Sequence, residues 1–130
     1  MDLTLQRSFS TERKVMTVTI LHNPRCSKSR ATLALLRDNG VEPEIVEYLE
    51  NPPSESELTE ILQKLGMGPR DIIRRGEKIY KELELDDSDL PDNALVTAMA
   101  GHPILIERPI VVNGDKAAIG RPPENVLDVL

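Results

Sequence analysis

Apolar positions along the chain change period several times, and each change marks an element. Val15 to Leu21 is a short run rich in β-branched residues and reads as a buried strand. It stops at His22-Asn23-Pro24, a turn-forming group. From Ser27 the period becomes helical, with Leu33 and Leu36 joined by Ala31, Ala34 and Leu35, and Asn39-Gly40 supplies a C-terminal stop. Glu44 to Leu49 alternates as a second strand should. Strand, helix and strand within about 35 residues predict a right-handed crossover between parallel strands.

Asn51-Pro52-Pro53 breaks this pattern. Ser54 with Glu57 three residues on is a capping-box signature, and Leu58, Ile61, Leu62 and Leu65 follow on one helical face up to Gly66. Shorter helical pieces are expected over Pro69 to Arg75 and Ile79 to Leu83, and a longer one from about Pro91 to Ala100, where Leu95, Val96 and Met99 are apolar. The closing section reads as extended again: Ile104 to Glu107, Ile110 to Val112 and Lys116 to Ile119. Asn113-Gly114 gives a type I′ hairpin signal between the last two. Pro122-Pro123 then opens a short helix over Glu124 to Leu130. The order βαβ, several helices, ββα predicts an α/β protein with a mixed sheet and a thioredoxin-like fold, carrying a helical insertion over about 54–101.

With 130 residues there is room for one domain and one core. Residues 1–15 show no periodicity and precede a second Met at position 16, so they read as an N-terminal extension to a domain spanning 16–130. Trp is absent and Phe and Tyr total three, which makes the core aliphatic and leaves no rings for a base-stacking surface. The net charge of −6 has the wrong sign for a phosphate-backbone binder, and no apolar run approaches a membrane span. These features argue against roles on bulk nucleic acid and in a membrane. No secretory h-region is visible near the N-terminus.

The charge is unevenly spread. Glu42 to Glu60 holds seven acids and no base, and Glu82 to Asp92 six more acids, again unopposed. Between them, Lys64 to Lys81 holds six bases against two acids, and His22 to Arg30 carries Arg25, Lys28 and Arg30 with no acid. Most of these residues read as solvated faces. The last group also reads as a local cationic site on an acidic protein, suited to one small anion.

That group surrounds the single cysteine, Cys26. One thiol forms no internal disulfide, and one Cys with two His makes no convincing metal set, so a reduced, cytoplasmic protein fits; separately from that count, a monomer with no bound metal or organic cofactor is expected. A buried structural cysteine is the commoner case for a lone thiol. Polar and basic flanks reverse that expectation here. Cys26 falls where a strand hands over to a helix, so first-turn N–H groups and the neighbouring bases should favour the thiolate. Ser27 and Ser29 are placed to cap that helix, and Ser29 is a further candidate for stabilising the thiolate. His22 is placed either to help ionise the sulfur or to stabilise the turn. A dithiol mechanism needs Cys-x-x-Cys, but the residue three after Cys26 is Ser29; a phosphatase-type loop needs Arg six residues on, where Thr32 stands. What remains is a nucleophile that completes any redox cycle with an external thiol.

His22-Asn23-Pro24-Arg25-Cys26-Ser27-Lys28-Ser29-Arg30 resembles the active-site motif of the glutaredoxin-coupled arsenate reductases, the ArsC family. Tyr48-Leu49-Glu50-Asn51-Pro52-Pro53, Asp71-Ile72-Ile73-Arg74, His102 to Val112 and Gly120-Arg121-Pro122-Pro123-Glu124 resemble further family segments in the same order, so the likeness covers residues 17–130. The resemblance implies a nucleophilic Cys26 and an oxyanion site lined by Arg74, Arg108 and Arg121, with Pro109 cis after Arg108. It also implies arsenate as substrate, with glutathione and glutaredoxin as co-substrates. Guanidinium forks suit a tetrahedral oxyanion. Taken singly, each arginine has a plainer reading: Arg74 as a solvated helix face, Arg108 as a surface residue, Arg121 as a salt-bridge partner. Two alternatives share the fold. One is an Spx-like regulator that binds RNA polymerase, for which Ser29 removes the usual second thiol. The other is a glutathione-dependent thiol oxidoreductase with no arsenic role.

Overall fold

The computed structural model describes residues 17–130. Val15 and Met16, at the start of the expected first strand, lie outside the described residues, as does the extension over 1–15. The chain runs β1 (Val18–His22), α1 (Ser27–Asp38), β2 (Glu44–Glu47), α2 (Glu55–Leu65), α3 (Pro69–Ile72), α4 (Lys78–Glu82), α5 (Asp92–Gly101), β3 (Ile110–Asn113) and β4 (Lys116–Ile119), with 3-10 turns at Pro103–Leu105 and Pro123–Val129. The four strands form one mixed sheet in the order β2-β1-β3-β4. β1 and β2 are parallel, as the crossover through α1 requires, while β1–β3 and β3–β4 are antiparallel.

Alternation along the central strands divides the interior in two. Val18 and Ile20 of β1 and Val111 of β3 pack with Leu36 of α1 and with Val126 and Val129 of the C-terminal turn. Leu21 and Ile110, on the opposite side of the same strand pair, join Leu58, Leu62, Leu95, Met99 and Leu105 from the helical segment. Successive strand residues point to opposite faces, so a period of two in β1 and β3 fills both cores at once. The sheet edge β2 is poorer in apolar contacts: Glu44, Ile45 and Glu47 are exposed.

Two turns differ from expectation. Ile104 to Glu107 is not a strand: Pro103 starts a 3-10 turn, and only Ile106 pairs, in an isolated bridge to Ile73. Proline lacks the N–H a ladder needs and its fixed φ suits the first turn of a helix. The β3–β4 hairpin pairs Asn113 with Lys116, so its central residues are Gly114 and Asp115 rather than Asn113 and Gly114. Among the non-glycine described residues only Glu84 has positive φ, and Gly114 (φ 62°) takes the left-handed position alone. One positive φ at the first central residue is the type II′ pattern, not the type I′ that Asn-Gly predicts. The closing helix is of 3-10 type over Pro123–Val129.

Candidate active site

Cys26 is the N-cap residue of α1, with extended backbone at φ −95° and ψ 123°. A tight turn delivers it there: Asn23 O accepts the Cys26 N–H at 3.0 Å, and Asn23 Oδ1 accepts the Arg25 N–H at 3.0 Å. Contrary to expectation, neither Ser27 nor Ser29 caps α1: the N-cap is Cys26, no side-chain hydrogen bond closes the first turn, and that turn holds no acid. Burial pushes the thiol up, but the backbone N–H groups of Ser29 and Lys28 at the helix start, then the charges of Arg108 and Arg121, outweigh it and hold Cys26 below the ordinary thiol value. A helix N-terminus stabilises an anion by this means.

The adjacent bases contribute less than their position suggests. Arg30 Nη1 donates to Pro24 O at 2.9 Å and so braces the loop, while Arg25 and Lys28 are exposed side chains. The charge that favours the thiolate arrives instead from the far end of the sequence. Arg121 Nη2 donates to Cys26 Sγ at 3.7 Å, and Arg121 Nε donates to Arg108 O at 2.8 Å. Arg108 and Arg121 each precede a cis proline, Pro109 and Pro122. Gly120 fixes where Arg121 leaves the sheet: its N–H donates to Pro109 O at 2.9 Å. A Cβ at Gly120 would fall 2.5 Å from Thr32 Oγ1 and 2.9 Å from Pro109 Cγ.

Arg108 is the most enclosed of the three candidate arginines, its side chain 14% exposed. Its Nε and Nη1 are buried and have no hydrogen-bond partner among the described residues. Glu107 Oε1 lies 3.7 Å from Nη1, close enough for attraction but too long for a hydrogen bond. Guanidinium donors left in that state are costly unless an acceptor meets them. Arg74 pairs with Glu77 at 2.7 Å and reaches Glu107 Oε1 at 3.7 Å, and Arg121 Nε approaches the same oxygen at 3.3 Å. Arg74, Arg108 and Arg121 are thus brought together around one carboxylate.

His22 and Ser29 act on each other. His22 Nδ1 and Ser29 Oγ lie 2.7 Å apart, both buried, and Ser29 Oγ accepts the Asn23 N–H at 3.0 Å. Ser29 therefore helps the sulfur through its backbone N–H, while its hydroxyl ties the turn to the end of β1. Burial, aided by Arg37 and Arg30 and opposed by Glu47, lowers the His22 pKa, which suits a neutral ring accepting the serine hydroxyl.

Two site members were missed by sequence reasoning. Glu107 sits in a stretch read as a strand, where a lone acid between Ile106 and Arg108 was the available signal. Tyr48 is 1% exposed, and burial raises its phenol while Arg108, Arg74, Cys26 and Glu107 all act on it electrostatically. A lone Tyr at a strand exit carries no such signal. Among the described residues no group of three or more His, Cys, Asp or Glu is placed to hold a metal, and no helix is long and apolar enough to cross a membrane.

Comparison with known proteins agrees with this architecture. The ArsC family profile matches residues 21–129. The chain is 56% identical to uncharacterized protein YfgD of Escherichia coli K12 over 87% of its length and 96% of that protein's. It is 52% identical to an arsenate reductase of Neisseria meningitidis, over 87% of this chain and 97% of that one. A solved arsenate reductase from Vibrio cholerae superposes with a TM-score of 0.86 at 55% identity, covering 88% of this chain and 98% of the other. With a matching mixed sheet and thioredoxin-like fold, the chain belongs to the ArsC family.

Proposed function

We propose that this protein is an arsenate reductase that uses Cys26 as nucleophile and external thiols as reductant. The observation that carries the reading is the meeting of a thiol favoured as thiolate with Arg121 at 3.7 Å and with the buried, unpartnered donors of Arg108. Names of relatives with about half their residues identical support the same substrate.

In this reading the anion's oxygens dock on Arg108 and Arg121, with Arg74 at the edge of the set. Neutralising the anion allows a negatively charged sulfur to approach arsenic(V), which bulk repulsion otherwise opposes. Sulfur bonds to arsenic as one oxygen leaves as water, having taken up the protons it needs. Glutathione thiolate then attacks the Cys26 sulfur; the S–As electron pair stays on arsenic, which falls to arsenic(III) and leaves as arsenite. The mixed disulfide of Cys26 and glutathione passes its glutathione to glutaredoxin, and the Cys26 thiolate returns. Two thiols are oxidised for each arsenic reduced by two electrons. Among the described residues Cys26 is the single cysteine, and that count supports an external source for the second thiol. The reading places the protein in a reducing cytoplasm as a monomer.

The test is arsenate-dependent NADPH oxidation with glutathione, glutathione reductase and glutaredoxin, run beside Cys26→Ser. Saturable turnover that disappears in the variant is the expected result. Turnover equal to the enzyme-free blank, from a folded protein with a reactive thiol, would overturn it and bring the polymerase-binding regulator forward.

A further inference from the structure

The carboxylate of Glu107 is an unexpected occupant of a site meant for an anion, and its surroundings show how it is held. The Arg108 N–H donates to Oε1 at 3.2 Å, and Arg121 Nε, Arg74 Nε and Arg108 Nη1 approach that same oxygen at 3.3, 3.7 and 3.7 Å. The backbone is pinned as well, since the Glu107 N–H donates to Ile72 O at 2.9 Å across the bridge between Ile73 and Ile106. Every one of these approaches uses Oε1. That leaves Oε2 as an acceptor beside guanidinium groups that attract oxyanions, on a side chain 30% exposed.

An ionised carboxylate accepts hydrogen bonds and donates none. Where an anion seated on these arginines reaches Oε2, it meets that oxygen in one of two ways. If it keeps an O–H, that group donates to Oε2 and the contact is a charge-assisted hydrogen bond. If every oxygen is deprotonated, two acceptors of like charge face each other in a partly buried place, which is unfavourable.

We propose that Glu107 sets the choice of anion: it accepts a hydrogen bond from a protonated oxygen of the bound oxyanion, so the site takes tetrahedral anions that keep an O–H near neutral pH, such as arsenate and phosphate, and rejects those that do not, such as sulfate. The inference rests on reading the arginine cluster as an oxyanion site and adds its selectivity. Glu107 is a specificity residue here, distinct from a brace that merely holds three arginines apart. A brace would change the affinity for all anions together, whereas a hydrogen-bond acceptor changes their ratio.

The experiment measures how anions slow the alkylation of Cys26 by iodoacetamide in the full chain at pH 7, with ionic strength held constant by chloride. Phosphate, sulfate and monofluorophosphate are compared in the wild type, Glu107→Gln and Arg108→Ala. Phosphate is expected to protect the wild-type thiol at concentrations at least about 100-fold lower than sulfate, a ratio typical of sites built around a donated O–H but moderated by exposure. Monofluorophosphate, a phosphorus(V) dianion without an O–H at this pH, should behave like sulfate; this arm needs no variant to fold. In Glu107→Gln, whose amide can also donate, the ratio should fall to within about threefold. Equal protection by phosphate and sulfate in the wild type, or an unchanged ratio in Glu107→Gln, would overturn the role of Glu107 while leaving the oxyanion site standing. No protection by any anion in the wild type, with Arg108→Ala indistinguishable from it, would overturn the site reading itself and this inference with it.

Discussion

Two helices of this protein begin in opposite ways. At the start of α2 the Ser54 hydroxyl accepts the Glu57 N–H at 3.1 Å, Glu57 Oε1 accepts the Ser54 N–H at 2.8 Å, and two acids occupy the first turn. At the start of α1 the cap residue is Cys26, no side chain closes the turn, and no acid is present. The first N-terminus satisfies its own donors and dipole, so it has nothing to offer a ligand. The second leaves them for a sulfur and for whatever anion approaches it. Arg108, with buried donors lacking partners, repeats the pattern away from a helix. The comparison separates where this chain spends its residues on stability from where it withholds them.

Replacing the sulfur gives the largest effect. Cys26→Ser should reduce arsenate turnover to the blank, because a serine hydroxyl is a far poorer nucleophile at neutral pH. Yet serine is a good N-cap, and its gain should offset the lost attraction between thiolate and arginines, leaving stability within about 1 kcal/mol of the wild type. Denaturant titration beside the coupled assay checks both halves; a collapse of stability would show that Cys26 is structural. Arg108→Ala comes next. Catalytic efficiency should fall by about 1.5–3 kcal/mol, roughly 10- to 150-fold, the worth of charged hydrogen bonds to the anion. Stability should hold or rise, because the variant removes buried donors that the fold does not satisfy. Unchanged efficiency would take Arg108 out of the site.

Gly120→Ala tests the join between the two regions. The added methyl would press on Thr32 in α1 and on Pro109, both buried, with little room to give. A loss of about 1–3 kcal/mol in stability is expected from such overpacking. Turnover should fall with it, because Arg121 follows directly and reaches the sulfur. Normal stability with normal turnover would show that the contact relaxes freely. Ser54→Ala is the converse case: about 1 kcal/mol of stability lost with the capping box, and kcat/KM unchanged. A matching loss of activity would mean that α2 communicates with Cys26 and that the two helix starts are not independent.

How much of this was legible follows the same division. Periodicity exposes elements whose residues serve the two cores, so β1, α1, α2 and α5 fall near their expected places. Cys26 stands out as a candidate because polar and basic flanks are unusual for a lone thiol. Local pattern points only to the adjacent Arg25, Lys28 and Arg30; Arg108 and Arg121, some eighty and ninety-five residues away along the chain, are legible through the family resemblance alone, and they supply charge acting on the sulfur. Within the basic stretch around α3, Arg74 faces Glu107, while Arg70 donates to Leu85 O at 3.1 Å and Asp87 O at 2.6 Å and serves the fold. Periodicity and charge do not distinguish these two arginines, because tertiary packing decides which one faces Glu107; the family resemblance is what singles out Arg74. Glu107 was hidden for a related reason. Pro103 converts an apparent strand into a 3-10 turn, which ends the alternation by which an inward acid would have stood out.

The smallest effect concerns the pair that ties the Cys26 turn to β1. Ser29 Oγ accepts the Asn23 N–H, so its own proton is available to His22 Nδ1, which then acts as acceptor with the ring proton on Nε2. Burial lowers the His22 pKa from 6.5, with Arg37 and Arg30 adding to the effect and Glu47 opposing it. The folded protein therefore takes up this proton less readily than the unfolded chain. The contribution is complete above about pH 6.5 and is lost as pH falls from there through the lower folded value. Across that window His22 should make the wild type less stable, read as a fall in the denaturation midpoint. His22→Asn keeps an acceptor near the Nδ1 position and cannot titrate, so its midpoint should change less over the same range. If both proteins lose stability in parallel, the dependence belongs to other groups, and the His22–Ser29 contact is a fixed brace with no part in the pH response.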